Sequence, residues 1–438
     1  MILDLTPPGL AVTIIASVLI LFLPRRLAVL PLLAAACYMT VGQVVVVGPF
    51  DFTVHRILLL SGWTRVVLRG EIDLERLGPL DRIVILWAVV NMVAHTLLVG
   101  TMDAFINRLG FVYNALGFYF LFRVLVTDME DIRRIGEFVA ILVVPLAAAM
   151  VLESLTRTNL FSHFGGVPPV SAVRAGEVRA QGAFRHPILA GTFGATIVPL
   201  IISLWWSPFV ARRRIVPGVP AAVIVAFVTS SSGPVLTLAA GIGGFMAWGL
   251  RYRLRAIRWG VFAGLVGLHF AMKSPVWFLI DRVGDIVGGE GYHRSFLIDQ
   301  AITHLDEWWL LGSTYTAHWM PYALPINPDM VDITNYYLRM GLDGGVATMG
   351  LFVVMLALAF RAIGRATRTM EEIGAPPEYR IRVWALGAML TAHAVAFISV
   401  SYFDQIVVFW YMLLALIGTV EDTVITLDEH RPEELGQQ

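Results

Sequence analysis

Arg174, Arg179, Arg185 and His186 crowd within thirteen residues, just ahead of an apolar run that opens with Pro187. A second polar group follows later, in the stretch 274–333. It holds three of the ten histidines (His293, His304 and His318), together with Arg294 and eight carboxylates that include Asp332. A guanidinium fork stays charged and takes phosphate oxygens two at a time. Imidazole and carboxylate groups move protons near neutral pH. The first group suits holding an anionic headgroup or pyrophosphate, and the second is where chemistry at the membrane surface is expected. Arg179, Arg185 and Arg294 are the candidate phosphate ligands. His293, His318 and Asp332 are the candidate bases, and spacing does not rank them. Trp308, Trp309, Tyr315 and Trp319, with Tyr322, are rings that stack on sugars or form an interfacial belt. The arginines have a plainer alternative, snorkelling to lipid phosphates.

Other chemistries leave no trace. The loops contain no HExxH, CxxC or DxD-like pattern, so neither a structural nor a catalytic zinc is expected. No Walker or GxGxxG motif is present, and no cofactor or nucleic-acid partner is expected. The single cysteine, Cys37, lies inside an apolar run, which excludes an intramolecular disulfide.

The elements that must position these residues are membrane helices. Hydrophobic residues make up 57% of the 438-residue chain and charged residues 15%, against about 25% charged in a soluble domain. Apolar runs of spanning length recur, and the ten-residue alternation of barrel strands is absent. The fold expected is an all-α polytopic membrane protein, one domain over 1–438, with twelve or thirteen spans. The spans fall near 9–24, 27–48, 83–101, 105–126, 136–152, 187–206, 216–230, 234–250, 259–273, 344–360, 383–402 and 405–420. The stretch 53–69, interrupted by Arg56, Arg65 and Arg69, is either a further span or an interfacial helix. Thirteen spans place the N-terminus outside and twelve place it inside. The N-terminus lacks a basic region and a cleavage site, and is expected to be retained.

Arginine sets the orientation, since Lys273 is the only lysine. The runs 212–214, 251–258 and 361–382 carry twelve arginines between them. The positive-inside rule puts all three in the cytoplasm, and Arg25–Arg26 and Arg133–Arg134 agree. The loop 153–186 and the large insert 274–333 then face the opposite, periplasmic side.

Smaller features have structural readings. Ser230, Ser231 and Ser232 in TSSSGPVLTLAAG suit bonding to helix-end backbone. The insert looks helical through GYHRSFLIDQAITHLDEWWLLGS, with His304 on a helix face. Asp332 or Thr334 is the expected N-cap where the chain re-enters the bilayer. His55, Asn91, His95, Asn107, Arg108, Asn114, His269 and His393 are polar positions inside the bundle. They are the residues from which a transporter would build a path.

Three stretches taken together resemble the O-antigen ligase and polymerase superfamily. They are RAQGAFRHPILAG, the serine turn, and HRSFLIDQAITHLDEWWLLGS followed by TNYYLRMGLDGGVAT. The resemblance covers about residues 175–360. It implies a bacterial inner-membrane glycosyltransferase of the GT-C type, using an undecaprenyl-pyrophosphate-linked oligosaccharide on the periplasmic side. The acceptor would be lipid A-core for a ligase and a growing polysaccharide for a polymerase, with membrane lipid around it. Two departures matter. The turn reads Ser232-Gly233-Pro234 where the family commonly carries Ser-Arg-Gly. Asn335, Gly345 and Thr348 fit the ligase pattern, but Thr334 stands where its histidine is expected. The missing base favours a polymerase of exopolysaccharide or O-antigen over a ligase; a lipid or polysaccharide transporter is the remaining alternative.

Overall fold

The computed structural model describes residues 2–72, 77–287, 291–321 and 327–429. Its helices, in chain order, are α1 (Pro7–Phe22), α2 (Leu30–Tyr38), α3 (Val54–Arg69), α4 (Pro79–Val99), α5 (Met102–Leu125), α6 (Met129–Thr156), α7 (Pro187–Ser203), α8 (Arg212–Ile215) and α9 (Gly218–Phe227). They continue with α10 (Ser232–Met246), α11 (Leu254–Ala271), α12 (Leu279–Val287), α13 (Gly291–Thr303), α14 (Leu305–Trp308), α15 (Tyr336–Glu372), α16 (Pro377–Ala396) and α17 (Ile406–Glu429). Proline at the first turn starts α1, α4, α7 and α16, where its missing N–H costs nothing. Among the described residues, six stretches are long and apolar enough to cross a membrane: Pro79–Val99, Met129–Thr156, Pro187–Trp206, Ser232–Ala271, Tyr336–Glu372 and Ile406–Val424. The chain is a multi-pass, all-α membrane protein. The third and last of these stretches are its most buried.

Charged contacts sort to the two ends of the bundle. At one end Arg26 reaches Asp128, Arg123 joins Asp81 and Asp422, Arg251 joins Glu371, and Arg365 joins Glu421. There too Arg382 Nη1 donates to the Met129 carbonyl over 2.9 Å, and buried Arg65 donates to the Ile20 carbonyl over 2.8 Å while binding Glu71. The other end holds the loop 153–186, the serine turn, the insert 274–333 and the short connection before α17. Gln405 Nε2 ties that connection to the carbonyls of Ala183 (2.6 Å) and Met39 (3.2 Å). The arginine clusters and the insert thus lie at opposite ends, as the charge distribution requires.

Two parts of the apolar pattern fold differently from expectation. The run 27–48 holds only the nine-residue α2. Beyond Tyr38 it turns into β2 (Val44–Val47), which pairs antiparallel with β1 (Ile2–Asp4) and with β3 (Phe50–Thr53). Four consecutive β-branched valines favour strand over helix. Gly42 also abuts Gly166 so closely that a Cβ on it would lie 2.2 Å from the Gly166 Cα. Second, 234–250 and 259–273 are joined without a loop. α10 passes through a 3₁₀ stretch, Ala247–Arg253, directly into α11. The ambiguous stretch 53–69 is helical, with Gly70 ending α3 at φ +62°.

The insert docks on α15 through backbone. Val346 N–H donates to the Trp309 carbonyl (2.8 Å), and Ser313 N–H donates to the Leu342 carbonyl (3.0 Å). At this point α15 is kinked, with Gly345 at φ +73°. A Cβ there would fall 2.1 Å from the Leu310 carbonyl oxygen, so only glycine permits both the conformation and the approach. Cysteines introduced singly at Thr314 and Ile373 should therefore be labelled from opposite sides of the membrane by an impermeant maleimide. Native Cys37 is fully buried and gives a quiet background. Equal labelling of both from one side would contradict the two-ended arrangement.

Candidate functional site

The serine turn is where the two polar groups meet. Arg179 Nη2 donates to Ser231 Oγ over 2.8 Å, and Arg294 Nη1 reaches Ser232 Oγ over 3.5 Å. Neighbouring serines thus bring together an arginine from the first loop and one from the insert, 115 positions apart (294 − 179). Arg294 lies in the first turns of α13 and is 8% exposed. Arg179 follows β5 (Glu177–Val178), which pairs antiparallel with β4 (Val173–Arg174).

The loop that presents Arg179 is anchored twice. Buried Glu153, near the end of α6, accepts from Ser171 Oγ (2.7 Å) and from the backbone N–H groups of Gln181 (3.0 Å) and Gly182 (2.8 Å). Three donors compensate a carboxylate removed from water. Ala180 N–H donates to the Val228 carbonyl (3.2 Å), and Ser230 Oγ donates to the Val178 carbonyl (3.1 Å). Ser230 sits at φ +45°, the left-handed conformation that turns the chain sharply into α10.

His186 is the N-cap of α7: its Nδ1 accepts from Ile188 N–H over 3.2 Å. Nδ1 is therefore the lone-pair nitrogen, and Nε2 carries the proton. Burial, and then the charges of Arg179 and Arg174, push its pKa down to about 4. The ring is neutral at physiological pH and offers an N–H donor, not a base. The helices α7 and α10 both begin here, at His186 and Ser231. Helix N-termini carry unpaired N–H groups and partial positive charge. Arginines, a neutral imidazole donor, hydroxyls and two helix starts are the kinds of group an anion site is built from.

The remaining candidates divide. Arg185 is on the same loop, but its guanidinium is paired with Asp404 at 3.5 Å and is largely exposed. Burial raises the Asp404 carboxyl, against the pull of Arg185. His293 and Asp332 do come together: His293 Nε2 donates to the Asp332 backbone carbonyl over 3.0 Å. That bond fixes the tautomer and leaves Nδ1 as the basic nitrogen. His318 belongs to a different group, with its Nε2 2.9 Å from Glu307 Oε1 and its ring stacked on Tyr315.

Two of the four expected sugar platforms are core residues. Trp308 and Trp319 are 4% and 2% exposed and pack in the insert's own apolar cluster with Leu297, Ala301 and Val331. Their indole N–H groups are satisfied by the Ala301 carbonyl (2.8 Å) and Glu307 Oε2 (3.1 Å). Burying a large ring with its N–H paired is favourable, and a helical insert has few other residues to build a core from. Trp309 and Tyr315 are exposed, and Trp309 opens on a shallow depression with Thr303, Leu305, Asp306 and Val346. Tyr322 lies outside the described residues.

The re-entry helix is capped by Asn335, whose Oδ1 accepts from Leu338 N–H over 3.1 Å, and not by Asp332 or Thr334. Thr334 Oγ1 is buried without a hydrogen-bond partner. Thr348 Oγ1 bonds back to the Gly344 carbonyl at 2.8 Å. Asn335, Gly345 and Thr348 therefore serve the cap, the kink and the helix after it.

Polar residues within the bundle form separate local groups. Arg108 binds Asn91 (3.2 Å), His95 (3.1 Å) and Asp343 (3.2 Å). Asn114 accepts from Arg56 Nε (3.1 Å), His55 meets the Ala35 carbonyl (3.2 Å), and His393 meets Tyr402 (2.7 Å). His269 accepts from Val276 N–H, and Asn107 is exposed.

Sequence reasoning missed Glu153, Asp404 and the cap role of His186. The clue to the last was a polar residue directly before a helix-starting proline. Because the His186 pKa is lower folded than unfolded, its contribution to stability is present above about 6.5 and is lost as pH falls toward about 4. The melting temperature of His186→Asn, which keeps a capping oxygen, should fall less steeply than wild type over that window. Parallel pH profiles would show that His186 is not held neutral.

No family model and no curated protein matches the chain.

Proposed function

We propose that the chain is a glycosyltransferase of the bacterial inner membrane, GT-C-like in its architecture. In this reading it lengthens a polysaccharide from undecaprenyl-pyrophosphate-linked repeat units at the periplasmic face. The observation that carries the proposal is the bridge Arg179–Ser231/Ser232–Arg294 beside neutral His186 and the starts of α7 and α10. An acceptor hydroxyl attacks the anomeric carbon, and a new C–O bond forms as the bond to the pyrophosphate oxygen breaks. The electron pair leaves with the lipid pyrophosphate. Fixed positive groups around that oxygen stabilise the charge as it develops, and they do so strongly in a site shielded from water.

His293 is the base that fits best. Its Nε2–H is held by the Asp332 carbonyl, and the free Nδ1 receives the hydroxyl proton. Asp332 then serves through its backbone, which positions the ring. Trp309 and Tyr315 are the exposed rings left to contact sugar. Arg185, paired with Asp404, lies at the edge of the site.

The membrane arrangement belongs to the same proposal. With α2 and α3 both crossing, the chain makes thirteen passes. The N-terminus then lies on the periplasmic side with the insert. The ligase alternative loses support, because the residues that fit its pattern serve helix geometry and Thr334 supplies no base. The transporter alternative loses support from the scattered polar groups.

Purified protein in lipid, given a lipid-pyrophosphate oligosaccharide, should produce longer chains. Arg179→Ala and Arg294→Ala should each slow elongation about 10²–10³-fold, and lysine at either position should restore only part of it. Thr334→Ala should stay close to wild type. Wild-type chain length in both arginine variants would remove the pyrophosphate site, and transfer to lipid A-core without lengthening would restore the ligase.

A further inference from the structure

The group around His318 has no part in the anion site, yet its geometry is ordered. His304, at the end of α13, Glu307, in α14, and His318, in the 3₁₀ turn Ala317–Trp319, bring one donor atom each within 4.8 Å of one another. His304 Nδ1 donates to the Gln300 carbonyl over 2.9 Å. The carbonyl can only accept, so Nδ1 carries the proton and Nε2 keeps its lone pair. Glu307 is oriented from behind by the Trp319 indole N–H on Oε2 (3.1 Å), while Oε1 faces His318 Nε2 at 2.9 Å. The His304 ring is stacked on Trp319, with centroids 5.6 Å apart, and His318 is stacked on Tyr315 at 5.3 Å.

We propose that His304, Glu307 and His318 form a binding site for a divalent transition metal of the zinc class. Two imidazoles and one carboxylate are a zinc ligand set, and three protein ligands leave a fourth position open. Imidazole nitrogens select zinc, copper or nickel over magnesium and calcium. The ion would set the donors roughly 3.3–3.5 Å apart, as bonds of about 2.0–2.2 Å in a tetrahedral site require, opening the 2.9 Å Glu307–His318 contact and closing the wider ones. The Gln300 carbonyl and the Trp319 indole are the outer partners that such ligands commonly have, and they fix the tautomer of one and the rotamer of the other. Glu307 and His318 are exposed, so the open position faces the water on the insert side. The metal would join the end of α13 to the turn at 317–319, clamping the insert across its small core. The site uses neither the arginine bridge nor His293 and does not depend on the transferase reading, with which it shares only Tyr315, stacked on His318.

Zinc titration of the purified full chain, read by competition with a chromophoric chelator, tests the proposal. Wild type should take one equivalent, and substituted Co²⁺ should give the visible bands of a tetrahedral site. His304→Ala and Glu307→Gln should each lose that equivalent, whereas His163→Ala, at an exposed histidine of the other outer loop, should keep it. Trp319→Phe should weaken zinc binding about tenfold by removing the outer partner. Glu307→Gln retains an oxygen for the Trp319 N–H, so its loss of zinc with an unchanged melting temperature of the metal-free protein separates ligation from misfolding. A wild type that takes no stoichiometric zinc, or variants that bind it as well as wild type, would overturn the site.

Discussion

The cost of charge away from water governs this molecule. A guanidinium or carboxylate in hydrocarbon is tolerated only when paired or when it reaches the interface. The ion pairs accordingly gather at the two ends of the bundle, and one end takes nearly all the clustered arginines. The least exposed set at the insert end, beside the point where Ser313 docks on Leu342, shows the same rule. Arg108 and Asp343 lie on α5 and α15 with little exposure, and Arg108 meets Asp343, Asn91 and His95 while Asp343 also takes Arg339. Removing one member of such a set leaves a bare charge, which costs far more than the pair contributes.

The same constraint gives meaning to the arginines at the other end. They stand against the positive-inside bias, on loops fastened by a buried carboxylate and by backbone bonds. Snorkelling to lipid phosphate needs none of that fastening, because a flexible arginine finds the interface without help. Arg294 is nearly buried and comes from a different segment than Arg179. Both sit on hydroxyls of one tight turn. A lipid-facing arginine needs no such placement, and this is why the proposed pyrophosphate reading rests on these two residues.

Much of the fold was legible because apolar run length and arginine position are local, additive signals. The helices α4, α6, α7, α15 and α17 follow from them, and so does the opposite placement of insert and arginine loops. What was not legible depended on tertiary partners. Hydropathy scores Val44–Val47 as membrane, yet these residues pair with Ile2–Asp4 and Phe50–Thr53. No window over one segment contains its strand partners. Trp308 and Trp319 were indistinguishable from Trp309 and Tyr315 by type. Burial of the first two is decided by which way a short helix and a turn face the insert's core.

The histidines show where spacing fails as evidence and why. His293, His304 and His318 have the same side chain within one insert, and sequence offers no ranking among them. Hydrogen-bond partners separate them. The carbonyl of Asp332 holds His293 by Nε2 and leaves a basic Nδ1. The carbonyl of Gln300 holds His304 by Nδ1 and leaves Nε2 as a ligand. Glu307 claims His318. None of these partners is a motif residue, since two are backbone atoms that any amino acid would supply. The His304-to-Glu307 interval is a helical neighbour spacing, but His318 arrives only because the chain turns at Gly312, held at φ +99° against the Leu342 carbonyl. A metal-ligand pattern read along the chain requires short, regular intervals. One assembled across a turn has no such interval and is visible only in three dimensions.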